Sequence, residues 1–242
     1  MRILILGATS AIAQAYARRR AAGMDFVLAG RHEERLKAIA ADLVACGAVS
    51  AEPLVLDLAE LEGIEPAVAA LRARFGEIDE ALIAYGTLGE QAVSERDLDE
   101  AIATIDTNFT SAAVWTLALL KHRPPGPFTL VAIGSVAGDR GRASNFVYGA
   151  AKAALDRFLE GLTQKYDGTG VRIIRVKPGF VDTPMTASYR KGALWATPDR
   201  VAADIERAVA KGRRVVYTPW FWWPIMAIIR NLPWFVFKRL KI

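Results

Sequence analysis

Arg2-Ile3-Leu4-Ile5-Leu6-Gly7-Ala8-Thr9-Ser10-Ala11-Ile12-Ala13 changes character at Gly7. Residues 2–6 form an apolar run of strand length, and residues 11–22 read as a helix closed by Gly23. Gly7 permits a tight strand-to-helix turn. The helix start after it leaves backbone N–H groups open to an anion, and Thr9 and Ser10 add hydroxyl donors. A turn of this kind either cradles a pyrophosphate or is an ordinary βα connection.

The alternation continues along the chain. Residues 26–29, 54–56, 81–84, 128–133, 171–176 and 213–217 read as further strands. Residues 33–45, 65–75, 97–121, 147–166 and 199–211 read as helices, with Leu36, Ile39 and Leu43 at helical spacing in the first. Strands and helices taking turns predict an α/β fold, a three-layer, doubly wound parallel sheet of about seven strands of Rossmann type. Ligands of such sheets sit beyond the carboxyl ends of the strands. Gly7, Ser135 and Pro178-Gly179 all fall at those ends.

Composition narrows the class. The 242 residues suit one α/β domain over 1–217 with an extension over 218–242, and the 52% apolar share argues against disorder. Cys46 is the single cysteine and His32 and His122 are far apart, which excludes an internal disulfide and argues against a metal site. No signal-peptide pattern precedes the first strand, so a cytoplasmic location is expected. The net charge of +5 is concentrated at the end, where Arg213, Arg214, Arg230, Lys238, Arg239 and Lys241 meet no acidic residue. The rest is near neutral and carries no nucleic-acid motif, so nucleic acid is not an expected partner.

The chemistry concentrates in Ser144-Asn145-Phe146-Val147-Tyr148-Gly149-Ala150-Ala151-Lys152. Residues four apart share a helix face, so Lys152 stands over Tyr148. An ammonium beside a phenol favours the phenolate and tunes it for proton exchange with a carbonyl or alcohol oxygen. Upstream, Val131-Ala132-Ile133-Gly134-Ser135 reads as a buried strand with a serine at its tip. Asn108, inside the helix predicted over 97–121, is unfavourable there and suggests a structural or site role.

The second strand ends Leu28-Ala29-Gly30-Arg31, without the acidic residue that would bind a ribose 2′-hydroxyl. Arg31 suits a 2′-phosphate instead, which favours NADP, with NADPH preferred to NADH; the alternative is a solvated arginine. Asp57 either contacts an adenine amino group or caps a helix.

Together these residues resemble the short-chain dehydrogenase/reductase family over roughly residues 1–217. The resemblance implies a catalytic set of Asn108, Ser135, Tyr148 and Lys152. Tyr148 would be the acid/base, and Ser135 would bind the reacting oxygen. Lys152 would tune the tyrosine and hold the nicotinamide ribose, and Asn108 would anchor a relay water. Pro178-Gly179-Phe180-Val181-Asp182-Thr183 matches the family's Pro-Gly-x-Val-x-Thr segment. The implied cofactor residues are Gly7, Thr9, Ser10, Ala11, Ile12, Arg31, Asp57, Leu58, Gly86, Tyr148, Lys152, Pro178, Gly179, Val181 and Thr183. Two departures stand out. Ala11 and Ala13 replace glycines, which would strain Ala11 if it needs a positive φ, and Ile83-Ala84-Tyr85-Gly86 stands for the family's Asn-Asn-Ala-Gly, which removes an asparagine side chain that normally supports the sheet.

The segment from Ser135 to Gly149 and the extension are also similar to the reductase subunits of decaprenylphosphoryl-ribose 2′-epimerases. That implies a keto sugar on a polyprenyl phosphate and a flavin oxidase partner. Arg140 and Arg142 either bind a substrate phosphate or lie in a solvated loop. Residues 186–197, with Tyr189 and Trp195, are expected to form a lid over the substrate. The extension carries Trp220, Phe221, Trp222, Trp223, Trp234 and Phe235 between prolines, too broken for a spanning helix. It reads as a contact with a membrane surface or, alternatively, as an oligomer interface or a flap over the body.

Overall fold

A computed structural model of the chain describes residues 1–123 and 125–240. Lys241 of the basic tail lies outside the described residues. The first half runs β1 (Arg2–Leu6), α1 (Ala11–Arg20), β2 (Asp25–Gly30), α2 (Glu33–Ala45), β3 (Ser50–Val55), α3 (Ile64–Phe75) and β4 (Glu80–Ile83). Next come α4 (Gln91–Ser94), α5 (Leu98–Ile105), a π-helical turn (Asp106–Thr110), α6 (Ser111–Lys121) and β5 (Phe128–Ile133). A 3₁₀ turn (Val136–Asp139) leads to α7 (Phe146–Lys165), β6 (Val171–Pro178), β7 (Phe180–Val181), β8 (Trp195–Ala196), α8 (Pro198–Lys211) and β9 (Val215–Thr218). The chain then forms α9 (Trp222–Asn231) and α10 (Trp234–Phe237).

Seven parallel strands lie in the order β3-β2-β1-β4-β5-β6-β9. Side chains alternate across a strand, so β1 feeds two cores. Ile3 and Ile5 pack with Phe26, Leu36 and Ile205 on one face. Leu4 and Leu6 pack with Val27, Trp115 and Leu155 on the other. Both faces are covered by helices, which is why the strands read as apolar runs. Chain order reverses between β1 and β4. Leu6 pairs with Ala29 on one side and Ile83 on the other, so three strand ends open into one crevice.

The expected elements shift in instructive places. The third strand begins at Ser50 rather than residue 54, because β3 is an edge strand where Glu52 and Pro53 are tolerated. The helix expected over 97–121 is broken by the π turn around Asn108. The Asn108 amide donates to the Thr104 carbonyl at 2.8 Å, the acceptor that the next helical turn would use. The final strand starts at Val215 and runs through Thr218. The lid region is partly tied down, since β8 pairs with β7. Among the described residues no helix is long and apolar enough to cross a membrane.

Candidate active site

The crevice opens into a cleft of about 720 Å³ that runs from the Gly7 turn to the start of α9. Gly7 has φ +88°, and a Cβ there would sit 2.7 Å from the Tyr85 backbone nitrogen, so both conformation and space require glycine. Ala11 is the first residue of α1, and no non-glycine residue described has a positive φ, so the expected strain is absent. Ser10 precedes the helix without using its hydroxyl as a cap, which leaves both hydroxyl and helix N–H groups open to an anion. Thr9 and Ile12 line the same stretch.

Arg31 lies at the end of β2, mostly exposed and 3.9 Å from an exposed Asp57, a pairing too weak to neutralise it. Arg35, one helical turn on, lines the cleft beside it; sequence reasoning missed this second cation. The Asp57 carboxylate accepts from the Ala59 N–H at 3.0 Å, so it stabilises its own turn. The Leu58 carbonyl accepts from Ser111 and Trp115, which fixes the loop. Tyr85, beside the positions where the family carries asparagines, is held by Ser111 at 2.5 Å and is driven upward in pKa by burial. It ties the β4 end to α6 by a different bond.

Ser135 lies two residues beyond β5 and caps the 3₁₀ turn, where its Oγ accepts from the Ala137 N–H at 3.0 Å. That fixes the hydroxyl beside Tyr148. Burial raises the Tyr148 pKa, and the hydrogen bond with Ser135 and the charge of Arg142 oppose it. Lys152 lies one turn below, its Nζ 5.8 Å from the tyrosine ring centroid and 3.2 Å from the Ile133 carbonyl. Burial lowers its pKa to about 8. Arg142 is thus a second cation acting on Tyr148, beside Lys152.

Asn108 is buried, and its amide N–H groups reach the carbonyls of Thr87 and Thr104 at 2.7 and 2.8 Å. Its Oδ1 has no partner. A Cβ on Gly86 would lie 2.6 Å from that oxygen and 3.4 Å from Lys152 Nζ, so glycine keeps the channel between them open. The orphan acceptor and the open channel fit a relay water, and the turn, hydroxyls and arginines fit a phosphorylated dinucleotide. Pro178, Gly179, Val181 and Thr183 line the far wall.

The expected substrate residues divide. Arg142 and Tyr189 line the cleft. Arg140 does not, and the reading as a substrate ligand is corrected. Its guanidinium donates to the carbonyls of Ile229, Arg230 and Leu232 and lies 3.8 Å over the Phe237 ring, capping the C-terminus of α9. Trp195 is corrected too: it does not line the cleft, and its ring stacks at 5.5 Å on Phe180, which does. Trp222, from the extension, was missed. It packs with Val136 and Met226 and forms the cleft's end wall, so tightly that a Cβ on Gly179 would fall 1.9 Å from its indole. No local pattern announces that contact.

Comparison with known proteins agrees with this architecture. A family model described as short chain dehydrogenase matches residues 1–194. An uncharacterized oxidoreductase of Mycobacterium tuberculosis is 41% identical over 98% of this chain and 96% of its own length. Sulfoacetaldehyde reductase 2 of Chromohalobacter salexigens is 34% identical over 84% of this chain and 81% of its own. A short chain dehydrogenase from Burkholderia cenocepacia, solved in complex with NADP, superimposes with a TM-score of 0.77 at 26% identity, covering 89% of this chain and 95% of that one. The chain belongs to the short-chain dehydrogenase family and is a nicotinamide-dependent oxidoreductase.

Proposed function

We propose that the protein uses NADPH to interconvert a carbonyl compound and its alcohol, with Tyr148 as the acid/base. The observation that carries this is the convergence of Ser135, Tyr148, Lys152 and the unpaired Asn108 Oδ1 at one end of a cleft whose other end is the Gly7 turn. The nicotinamide supplies or accepts hydride when bound. The helix α1 N-terminus, Thr9 and Ser10 hold the pyrophosphate, and Arg31 with Arg35 hold a 2′-phosphate. Ser135 positions the substrate oxygen. Tyr148, kept as a phenol by burial, delivers its proton to that oxygen during reduction. Lys152 and a water on Asn108 replace the proton. Tyr148→Phe tests the assignment: turnover of any accepted ketone should fall by roughly 10³-fold, while NADPH binding followed by nicotinamide fluorescence stays unchanged. Undiminished turnover would refute the role.

A second reading concerns the extension. Trp220, Trp223, Trp234 and Phe235 are 69%, 59%, 69% and 63% exposed, beside Arg230, Lys238 and Arg239. Exposed tryptophans among cations suit an anionic membrane surface. Under this reading the substrate is a keto sugar on a polyprenyl phosphate, formed by a flavin oxidase. Flotation with phosphatidylglycerol vesicles tests it: Trp220→Ala/Trp234→Ala should release the protein, and failure of the wild type to float would end the reading.

A further inference from the structure

The loop between Ser135 and Tyr148 sends two neighbouring arginines in opposite directions. Arg140 is consumed by the extension, as described above. Arg142 faces the cleft, and its Nε is buried without a hydrogen-bond partner. A buried N–H without a partner is unfavourable, so the Arg142 Nε marks a position that a ligand completes. Asp139, the nearest carboxylate in sequence, is occupied by Lys177 and Tyr217.

A second donor lies on the same wall. The Trp222 side chain is 5% exposed, and its indole Nε1 has no acceptor. Buried indole N–H groups normally find one. Asn145 Oδ1 is a third unpaired polar atom of this lining. Its amide is adaptable, since rotation exchanges a carbonyl acceptor for an NH₂ donor.

We propose that Arg142 and Trp222, adjusted by Asn145, form a subsite for an oxyanion carried by the carbonyl substrate: a carboxylate, sulfonate or phosphate. The subsite deepens the carbonyl-reductase reading and relies on Tyr148 for turnover, but its anion affinity is independent of turnover. A guanidinium offers a planar set of donors matched to such groups. Arg142 and Tyr148 line the same cleft, and the Arg142 charge favours the Tyr148 phenolate. A substrate that spans the two presents its carbonyl to Tyr148 and its oxyanion to Arg142. The extension is part of the substrate site, because Trp222 belongs to α9.

Calorimetric titration, with and without NADPH, of propane-1-sulfonate and of geranyl phosphate tests the subsite. At least one should bind the wild type, and Arg142→Gln should weaken it about tenfold or more, the loss of one charge-assisted contact. Arg142→Lys and Trp222→Phe should be intermediate. Sulfonate binding identifies a small acid as the class, and binding of geranyl phosphate alone identifies a lipid-linked phosphate. Binding of neither, or equal binding to Arg142→Gln, overturns the proposal. In parallel, NADPH oxidation is compared for succinic semialdehyde and uncharged butyraldehyde. A preference for the anion that disappears in Arg142→Gln supports the subsite. Equal use of both aldehydes overturns it, with the carbonyl-reductase reading intact. Arg142-dependent anion binding without reduction of either aldehyde retains the subsite and removes the catalytic reading.

Discussion

The two ends of the cleft are built from different materials. At the β1–β2 end the ligand-facing groups are mostly backbone: a left-handed glycine, a helix N-terminus and two short hydroxyl side chains on consecutive residues. At the β6–β9 end they are side chains from distant segments: Arg142 and Asn145 before α7, Gly179 after β6, and Trp222 in α9. A backbone cradle follows from one local conformation, so it tolerates alanines in place of glycines. A side-chain wall depends on every segment being held. Beneath it lies a buried ion network in which Lys177 meets Asp139 and Asp156, and Arg175 meets Asp156 and Glu160.

The comparison breaks most sharply at Asp156. Asp156→Asn leaves Lys177 and Arg175 buried with one carboxylate fewer, and a loss of about 3–5 kcal/mol is expected from urea unfolding. Burial alone would raise the Asp156 pKa, but Lys177, Arg157 and Arg175 outweigh it and hold it below the usual value. Its contribution is thus complete above the unfolded pKa near 4 and is lost as pH falls through the lower folded value. The wild type should lose stability on acidification in this window, and the variant should lose less. Equal acid sensitivity would mean the network does not hold the wall.

Arg140→Ala tests the wall without touching the cleft. It removes the cap on α9 and the contact with Phe237, at an expected cost of about 2 kcal/mol. Limited proteolysis should then cut the chain beyond Thr218. Because Trp222 travels with α9, KM for the substrate should rise while NADPH affinity stays constant. A rise in both would mean that the two ends are not independent.

This difference in construction also decides what was legible in the sequence. The Gly7 turn and the Tyr148–Lys152 spacing are local, so pattern and periodicity reached them directly. Arg140 and Arg142 were indistinguishable because both are arginines in one loop, and only the packing of α9 separates their roles. Trp222 was read as part of a surface-seeking aromatic run, since nothing local says that it meets Gly179. The break at Asn108 was missed for a related reason: its side chain competes for a helix carbonyl only when Thr87 is brought beside it.

At the cofactor end, Arg31→Ala should weaken NADPH about tenfold and leave NADH almost unchanged, measured by nicotinamide fluorescence. Arg35 limits the loss, because a second cation remains on the same wall. A larger loss for NADH than for NADPH would show that Arg31 supports the turn instead of binding phosphate.

The smallest expected effect is in the pH profile, and it joins the two ends. Lys152 is charged below about 8 because burial has lowered its pKa to that value. Tyr148 is raised, so it remains a phenol through the same range. Reduction needs both forms together, so kcat/KM for a neutral aldehyde should be flat below pH 7, drop about twofold by pH 8 and continue to fall above it. Oxidation of the alcohol needs the phenolate and should rise with pH instead. Arg142→Gln removes a cation that favours the phenolate, so it should move the rise in oxidation to higher pH and leave the Lys152 limb of reduction in place. If Lys152 alone acted on Tyr148, the substitution would move neither limb.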